Sequence, residues 1–272
     1  MTATSPAATP ESDDHHSMLL QDKTVVVTGG NSGIGEAIAR ATAAAGANVV
    51  IDYIDDPAHT ESIVRDIREA GGNAIGFEAD VTDVAALDRL AAAAADAFGG
   101  LDVWVNNAGV DTKTGLLDTT VEQFDRVIAV NLRSAFFGTQ IAARRFIAQG
   151  SGGVVLNISS THEDWPMPGN IAYCTSKGGI RMITRTAGVE LGHYGIRVVN
   201  LAPGAVDTPV NAATMADEAK RTALAESIPL GYIAGADEIA AAAVALCSDQ
   251  SRYITATTVV VDGGLMHSAA GL

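Results

Sequence analysis

The sequence predicts a single α/β domain, a doubly wound parallel sheet of the Rossmann type with helices on both faces. Short runs rich in Val and Ile alternate along the chain with longer Ala-rich stretches. Continuously apolar strands of this kind are typical of a parallel sheet that is covered on both faces. The first run also leads directly into a glycine-rich turn followed by a helical pattern, which is how this architecture begins.

Seven strands and six helical stretches are predicted from these patterns. The strands are expected at Thr24–Thr28, Asn48–Asp52, Ala74–Glu78, Val103–Asn106, Gly153–Ile158, Arg197–Leu201 and Thr258–Asp262. The helical stretches are expected at Gly33–Ala45, Ala58–Ala70, Val84–Phe98, Thr120–Gln149, Ala172–Leu191 and Asp237–Leu246. Ligands of such sheets bind beyond the carboxyl ends of the strands, so the chemistry is expected in the segments that follow each strand.

The composition of the chain narrows the classes of function. There are 32 acidic and 17 basic residues, for a formal charge of −15. A surface this acidic repels nucleic acid and anionic lipid, so neither is an expected partner. No apolar run approaches the ~18 residues of a membrane-spanning helix. Cys174 and Cys247 belong to no disulfide framework or metal-ligand spacing, so no metal is expected and a reducing cytoplasm fits.

The N-terminal residues differ in composition from the rest of the chain. Residues 1–17 are rich in Thr, Ser, Pro, Asp and Glu and have almost nothing to bury, so they are predicted to form a disordered tail. They also lack the basic and apolar regions of a secretory signal. Residues 18–272 are expected to form the domain, with a mobile substrate lid near residues 204–232.

The segment after the first strand has the composition of a dinucleotide-binding turn. It reads Thr28-Gly29-Gly30-Asn31-Ser32-Gly33-Ile34-Gly35. Glycines let the backbone turn tightly and approach a pyrophosphate closely. The N-terminus of the helix that follows directs unsatisfied N–H groups at the phosphates. The turn therefore predicts a dinucleotide cofactor.

A tyrosine and a lysine stand one helical turn apart after the fifth strand. Tyr173 and Lys177 are i and i+4, so on a helix they share a face. A free tyrosine has a pKa near ~10, too high for an effective base at neutral pH. A neighbouring ammonium favours the phenolate and is expected to lower the pKa of Tyr173. Such a pair can carry the proton that must move at a carbinol oxygen when a hydride moves at its carbon.

The glycine-rich turn, the Tyr173–Lys177 pair and several further motifs follow one another in an order that resembles the short-chain dehydrogenase/reductase family. The resemblance covers roughly Leu20 to Gly264. The motifs are the glycine turn, Asp80-Val81, Asn106-Asn107-Ala108-Gly109, Val130-Asn131-Leu132, Asn157-Ile158-Ser159-Ser160, Tyr173-Cys174-Thr175-Ser176-Lys177, Pro203-Gly204 and Thr208.

The resemblance implies a nicotinamide-dependent oxidoreductase and assigns a role to each matching residue. Tyr173 is the catalytic acid/base, and Lys177 binds the nicotinamide ribose and tunes the tyrosine. Ser160 binds the substrate oxygen and is preferred to Ser159, because its distance in sequence from Tyr173 matches close relatives. Asn131 holds a water of the proton relay. The implied cofactor contacts are Gly29, Asn31, Ser32, Gly33, Ile34, Gly35, Asp52, Tyr53, Asp80, Val81, Asn107, Ala108, Gly109, Tyr173, Lys177, Pro203, Gly204, Val206 and Thr208.

The segments around the site resemble the glucose 1-dehydrogenases within this family. The resemblance rests on Ser160-Thr161-His162-Glu163 and on the lid that begins after Pro203. It implies that Asp111 and His162 bind sugar hydroxyls beside Ser160 and Tyr173, for which a carboxylate and an imidazole are suited. The stretch Trp165–Ala172 and the C-terminal tail depart from those enzymes, and Asp111 is shorter than the expected Glu.

NAD is expected to be preferred to NADP, with both accepted. The adenosine 2′ position is read just after the second strand, where Asp52, Asp55 and Asp56 stand and no Arg or Lys precedes Arg65. A carboxylate accepts a hydrogen bond from a free 2′-OH and repels a 2′-phosphate. In the family, the Asp that discriminates between NAD and NADP stands one position after Asp52, where this chain has Tyr53. In the alternative arrangement, Asp52 therefore points toward the far face of the sheet.

Two other functions are compatible with the same sequence. One is the reduction of a 3-oxoacyl thioester or a bulky ketone, since the lid mixes polar and apolar residues. The other is a catalytically silent nucleotide sensor, which the intact Ser160, Tyr173 and Lys177 set disfavours. The resemblance also implies a homotetramer, packed through the long helical stretches Thr120–Gln149 and Ala172–Leu191.

Overall fold

One seven-stranded sheet runs through residues 18–268, the part of the chain that this computed structural model describes. All neighbouring strands are parallel, in the order β3-β2-β1-β4-β5-β6-β7. The strands are β1 (Thr24–Val27), β2 (Asn48–Tyr53), β3 (Asn73–Glu78), β4 (Val103–Asn106), β5 (Gly153–Ile158), β6 (Ile196–Pro203) and β7 (Thr257–Val261). The predicted doubly wound sheet is confirmed, and the strand order reverses between β1 and β4, where such folds bind their ligands.

Helices cover both faces of this sheet. They are α1 (Gly33–Ala44), α2 (Pro57–Glu69), α3 (Val84–Phe98), α4 (Val121–Val127), α5 (Ser134–Gln149), α6 (Ile171–Leu191), α7 (Ala212–Met215), α8 (Glu218–Ser227) and α9 (Ala236–Cys247). The short helices α7 and α8 lie in the predicted lid, where no helix was predicted. None of the helices between residues 18 and 268 is long and apolar enough to cross a bilayer. The predicted tail, residues 1–17, lies outside the described residues.

The side chains of alternate strand residues pack into two separate hydrophobic layers. Val25 and Val27 point to the layer formed with α1, α2 and α9, whereas Val26 points to the layer formed with α3 and α5. Trp104 and Phe146 are the largest fully buried side chains, and both belong to the second layer. Because both faces are covered, the strands are apolar throughout, which explains why the sequence pattern located them.

The predicted helical stretch Thr120–Gln149 is not one uninterrupted α-helix. A capping box starts α4, in which Thr120 and Gln123 exchange hydrogen bonds. The six residues Ile128–Arg133 then form a π-helical turn before α5 begins. Such turns occur frequently at functional sites because they redirect a side chain. Here the turn contains Asn131, which is buried.

A row of polar residues crosses the sheet within the second layer. Asn106, Asn157, Asn200 and Thr258 are paired in register on β4, β5, β6 and β7. Asn106 Nδ2 donates to Asn157 Oδ1 at 2.8 Å, and Asn157 Nδ2 donates to Thr184 Oγ1 of α6 at 2.7 Å. Thr184 Oγ1 in turn donates to Asn200 Oδ1. Hydrogen bonding satisfies these buried amides and holds the carboxyl ends of the strands in one register.

We predict that Asn157→Ala lowers the free energy of unfolding by about 2–4 kcal/mol, because it removes the buried hydrogen bonds that Asn157 accepts from Asn106 and donates to Thr184. Urea unfolding measures this loss. Asn73→Ala is the matched control, since Asn73 is also a strand residue but makes its side-chain hydrogen bond to Asn48 at the exposed sheet edge. A loss for Asn157→Ala no larger than for Asn73→Ala would contradict the role of the row.

Candidate active site

The glycine-rich turn joins β1 to the N-terminus of α1. Gly29 has a φ of +57°, in the left-handed region that favours glycine. A Cβ on Gly35 would lie 2.2 Å from Gly29 O and 2.4 Å from Asn107 Nδ2, so only glycine allows this close approach. Ser32 is the N-cap of α1 and makes no side-chain cap hydrogen bond. The first N–H groups of α1 are therefore arranged as in helix termini that bind phosphate groups.

The segment after β4 packs directly on the glycine turn. Asn107 Nδ2 donates to the carbonyl oxygens of Thr28 and Gly29, at 2.9 and 3.0 Å. Thr28 Oγ1 accepts from the backbone N–H groups of Asn107 and Ala108, at 2.9 and 3.1 Å. The structure thus joins the two predicted cofactor segments. Thr28 was absent from the predicted cofactor contacts, and its place at the end of β1 is the signal that could have indicated it.

Asp52 lies beneath the glycine turn, with 1% of its surface exposed. Its Oδ2 accepts from Gly29 N at 3.0 Å, whereas its Oδ1 is buried without a hydrogen-bond partner among the described residues. Burial raises the pKa of Asp52 to about 7, and the nearby charge of Asp80 adds to this rise. Asp52 therefore supports the turn, and its unpartnered oxygen is a polar atom left for a ligand to satisfy.

The acidic residues that follow β2 are exposed. Asn31 Nδ2 donates to the carbonyl of Asp55 at 2.8 Å and so ties the glycine turn to this loop. Asp56 caps α2 by accepting from His59 N at 3.1 Å. Ile54 between them is 59% exposed. Tyr53 turns toward β3, where its ring atom Cε1 would lie 3.4 Å from a Cβ on Gly76.

The remaining predicted cofactor residues also follow strand ends. Asp80, after β3, accepts from Thr82 N and Oγ1 at 2.8 and 2.7 Å, and Val81 is buried. Pro203 ends β6, and Gly204 N donates to Val261 O at 3.0 Å. Thr208 lies 3.6 Å from the position of a Cβ on Gly33. The start of the predicted lid is therefore next to the glycine turn, and Val206 anchors it through a bridge to Ala234.

The structure brings Ser160, Tyr173 and Lys177 together at the carboxyl end of β5. Ser160 is the buried residue that caps the turn Thr161–Glu163, and its side chain is hydrogen-bonded with that of Tyr173. Lys177 Nζ lies 5.4 Å from the centroid of the Tyr173 ring and donates to Ile158 O at 2.8 Å. Ser159 instead donates to Glu163 Oε2 at 2.5 Å. The geometry therefore favours Ser160 over Ser159 as the serine beside the tyrosine.

Burial dominates the electrostatics of this group. It raises the pKa of Tyr173 to about 12, against the hydrogen bond from Ser160, and the charge of Asp111 raises it further. Burial likewise lowers the pKa of Lys177 to about 8. The expectation of a lowered Tyr173 pKa is therefore wrong. Burial of the phenolate sets the direction of the shift, and the group that opposes it is Ser160.

Asn131 reaches this group through a second serine. Its side chain holds Val110 from both sides, since Oδ1 accepts from Val110 N at 2.8 Å and Nδ2 donates to Val110 O at 2.9 Å. Nδ2 also donates to Ser176 Oγ at 3.1 Å, and Ser176 Oγ donates to Tyr173 O at 2.7 Å. Ser176 was missed in the sequence, where its position between Tyr173 and Lys177 gives no separate signal. Gly109 lies against the same amide.

Tyr173, His162 and Trp165 form a row of three aromatic side chains. The His162 ring lies 6.5 Å from the Tyr173 ring and stacks at 6.4 Å on Trp165, measured between centroids. His162 Nδ1 lies 3.0 Å from the carbonyl oxygen of Trp165. A carbonyl only accepts, so Nδ1 carries the proton and Nε2 of the neutral ring is an acceptor. Asp111 acts on Tyr173 through its charge, and Lys113 Nζ lies 3.9 Å from its Oδ2.

Comparison with known proteins places this site in a family. A family model described as enoyl-(acyl carrier protein) reductase, of the short-chain dehydrogenase/reductase group, matches residues 29–266. The chain is 44% identical to 3β-hydroxysteroid dehydrogenase 1 of Eggerthella lenta, over 90% of this chain and 94% of that protein. It is 38% identical to glucose 1-dehydrogenase 2 of Bacillus subtilis, over 90% of this chain and 95% of that protein.

A solved structure of similar fold contains a cofactor. It is provisionally described as a 2-deoxy-D-gluconate 3-dehydrogenase of Agrobacterium tumefaciens, with bound NADP. It has a TM-score of 0.85 and 34% identity, and the match covers 92% of this chain and 99% of that one. The chain belongs to the short-chain dehydrogenase/reductase family and is an oxidoreductase that uses a nicotinamide dinucleotide.

Proposed function

We propose that this protein oxidises a secondary hydroxyl group borne on a ring, with a sugar such as β-D-glucose as the substrate, and that it prefers NAD. The observation that carries the proposal is the convergence of Ser160, Tyr173 and Lys177 with the acceptor nitrogen of His162. The two curated relatives named above support a ring-borne hydroxyl, since their names specify a hydroxysteroid and glucose.

Each residue of the site has a distinct task in this proposal. Ser160 and Tyr173 bind the reacting oxygen between them, and Tyr173 accepts its proton as the carbon loses hydride. Lys177 contributes a positive charge beneath the phenolate. The nicotinamide supplies the hydride acceptor and, when oxidised, a positive charge. Because burial holds the pKa of Tyr173 high, the tyrosine needs these positive charges before it is an effective base.

The residues around the turn fit a nicotinamide dinucleotide. The close contact of Gly35 with Gly29 and the uncapped start of α1 fit a pyrophosphate, and the unpartnered Asp52 Oδ1 fits a donor such as a ribose hydroxyl. Basic side chains of α1 and α2 are engaged elsewhere, since Arg40 of α1 is bound to Glu36 and Asp66, and Arg68 of α2 donates to Ala74 O. The exposed loop after β2 thus offers acidic residues and Ile54, which supports NAD over NADP.

A sugar fits the polar groups beside Tyr173. His162 Nε2 accepts and the Asp111 carboxylate accepts, so two hydroxyl groups of a polyol find partners there. A sugar also has an apolar face, and Trp165 offers an exposed indole on which such a face stacks.

A 3β-hydroxysteroid is the second candidate substrate, favoured by the apolar surface around the site. Trp165 is 38% exposed, as is Ile171 two residues before the catalytic tyrosine. A flat ring system gains more from this surface than a sugar does. Reduction of a 3-oxoacyl thioester stays the alternative from a third chemical class.

We propose a homotetramer located in the cytoplasm. Exposed apolar side chains on α4, α5 and α6 support the assembly; they are Val121, Phe124, Phe136, Ile147, Met182 and Val189. Such side chains on adjacent helices mark a surface that another subunit can cover. Both cysteines are unpaired thiols, which fits a reducing compartment.

We predict that Tyr173→Phe lowers kcat by about 10²–10⁴-fold while NADH still binds, because only the proton acceptor is lost. Absorbance of NADH measures turnover, and its fluorescence measures binding. Tyr253→Phe, at a fully exposed position, is the control and keeps wild-type activity. Turnover of Tyr173→Phe near that of the wild type would remove the assignment.

We predict a higher kcat/KM for NAD than for NADP at one fixed ionic strength, since a 2′-phosphate meets acidic residues after β2. Ile54→Arg adds a cation at the exposed position in this loop and is expected to raise kcat/KM for NADP at least about tenfold. If NADP equals or exceeds NAD in the wild type, the aspartates do not face the ribose.

We predict measurable oxidation of β-D-glucose and a KM that rises about tenfold in His162→Ala, the effect of one lost hydrogen bond. His193→Ala, in the short helix Gly192–Tyr194 after α6, is the matched control. A panel with β-D-glucose, a 3β-hydroxysteroid and a 3-oxoacyl thioester decides the substrate class. Activity on either of the last two without activity on glucose would replace glucose by that substrate.

A further inference from the structure

Glu163 is a buried carboxylate in the turn directly after Ser160. Its side chain is 3% exposed. Oε2 accepts from Ser159 Oγ at 2.5 Å and from Asn200 Nδ2 at 2.9 Å, and Oε1 accepts from Thr258 Oγ1 at 2.6 Å. Three donors from β6, β7 and the end of β5 therefore converge on one ionised group. Hydrogen bonds of this kind offset the free-energy cost of desolvating a carboxylate.

The hydrogen bonds that reach Glu163 all run in one direction. Trp104 Nε1 donates to Asn106 Oδ1 at 2.7 Å, and the donors then follow the row through Asn157 and Thr184 to Asn200, which donates to Glu163. An indole N–H only donates and a carboxylate only accepts, so the two ends fix the orientation of every amide between them. Glu163 is thus the fixed acceptor at which this chain of hydrogen bonds ends.

The turn that carries Glu163 packs against α6 next to Lys177, since Glu163 O lies 3.8 Å from the position of a Cβ on Gly178. Burial lowers the pKa of Lys177, and Glu163 is the charged group that opposes this shift. Lys177 Nζ donates to Ile158 O, two residues before Ser160. Tyr173 of α6 faces the lysine, and Arg181 of α6, which is paired with Asp164, faces the carboxylate. Arg181 Nε lies 3.8 Å from Glu163 Oε1, and its guanidinium also contacts Asp164.

We propose that Glu163 is a positioning residue of this enzyme, which places a fixed negative charge near Lys177 and holds the Ser159–Ser160 segment against the sheet. The carboxylate acts through Lys177 and Ser159 and touches neither substrate nor cofactor in this role. The inference rests on the oxidoreductase chemistry of the site and holds for any of the candidate substrates.

Removal of the Glu163 charge is expected to change the pKa of Lys177 in one direction. Glu163→Gln keeps the shape and can still accept from Asn200, but it no longer stabilises the ammonium form, so the pKa of Lys177 falls further. The lysine then loses its proton at lower pH, and the alkaline limb of kcat/KM that reports this loss moves to lower pH by about one unit. At the wild-type midpoint of that limb, activity is about fivefold below the wild type, and well above this pH the deficit approaches about tenfold.

Two variants separate charge from shape. Glu163→Asp keeps the charge while shortening the reach, and it is expected to return the limb toward the wild-type pH even where the melting temperature falls. Asp164→Asn removes a neighbouring charge of the same turn, 45% exposed, and leaves the limb in place. A limb that stays at the wild-type pH in Glu163→Gln, with only the melting temperature lowered, would reduce Glu163 to a structural residue and overturn the proposal.

A second measurement needs no substrate and so remains valid if the proposed substrates are wrong. The chain has four lysines, Lys23, Lys113, Lys177 and Lys220. Their ε-carbons, labelled with ¹³C and assigned with Lys177→Arg, can be titrated by NMR in the full chain. The titration of Lys177 is expected to shift to lower pH by about one unit in Glu163→Gln and to be unchanged in Asp164→Asn. An unchanged titration in Glu163→Gln would equally overturn the proposal.

Discussion

The directional row of hydrogen bonds from Trp104 to Glu163 is the interaction on which the geometry of the site depends. It links β4, β5 and β6 through buried amides and includes Thr184 of α6. The same strands deliver Asn107, Ser160 and Pro203 at their carboxyl ends, and α6 carries Tyr173 and Lys177. A hydroxyl in the row orients to suit both neighbours, but each amide has one acceptor and one donor side, so the row permits one register.

The site concentrates buried ionisable groups at the expense of their solvation. Burial raises the pKa of Tyr173 to about 12 and of Asp52 to about 7, and lowers that of Lys177 to about 8. Each shift opposes the charged form. A site of this kind is poorly suited to ionisation when no ligand is present, and charge delivered by a bound cofactor has a large effect there, since the local dielectric is low.

The positions of the strands were predictable from the sequence, whereas the environments of the proposed catalytic residues were not. Val103–Asn106 and Gly153–Ile158 have the predicted bounds, because strands buried on both faces are apolar along their whole length. The π-helical turn at Ile128–Arg133 was not predicted, since its residues have ordinary helical propensity and its geometry follows from how Asn131 holds Val110. Helices α7 and α8 were not predicted. In α8 no residue is buried, so the sequence of this helix shows no apolar face.

The sequence by itself determined the fold class, the glycine turn and the spacing of Ser160, Tyr173 and Lys177, because these depend on local periodicity and on residue types that few other structures require. Only the tertiary structure decided that Ser159 turns to Glu163 while Ser160 turns to Tyr173, and that Asp52 lies under the turn. The tertiary structure also decided that the pKa of Tyr173 is raised and not lowered. Burial and the distance between groups far apart in the sequence control these outcomes, and neither is encoded in any single segment of the chain.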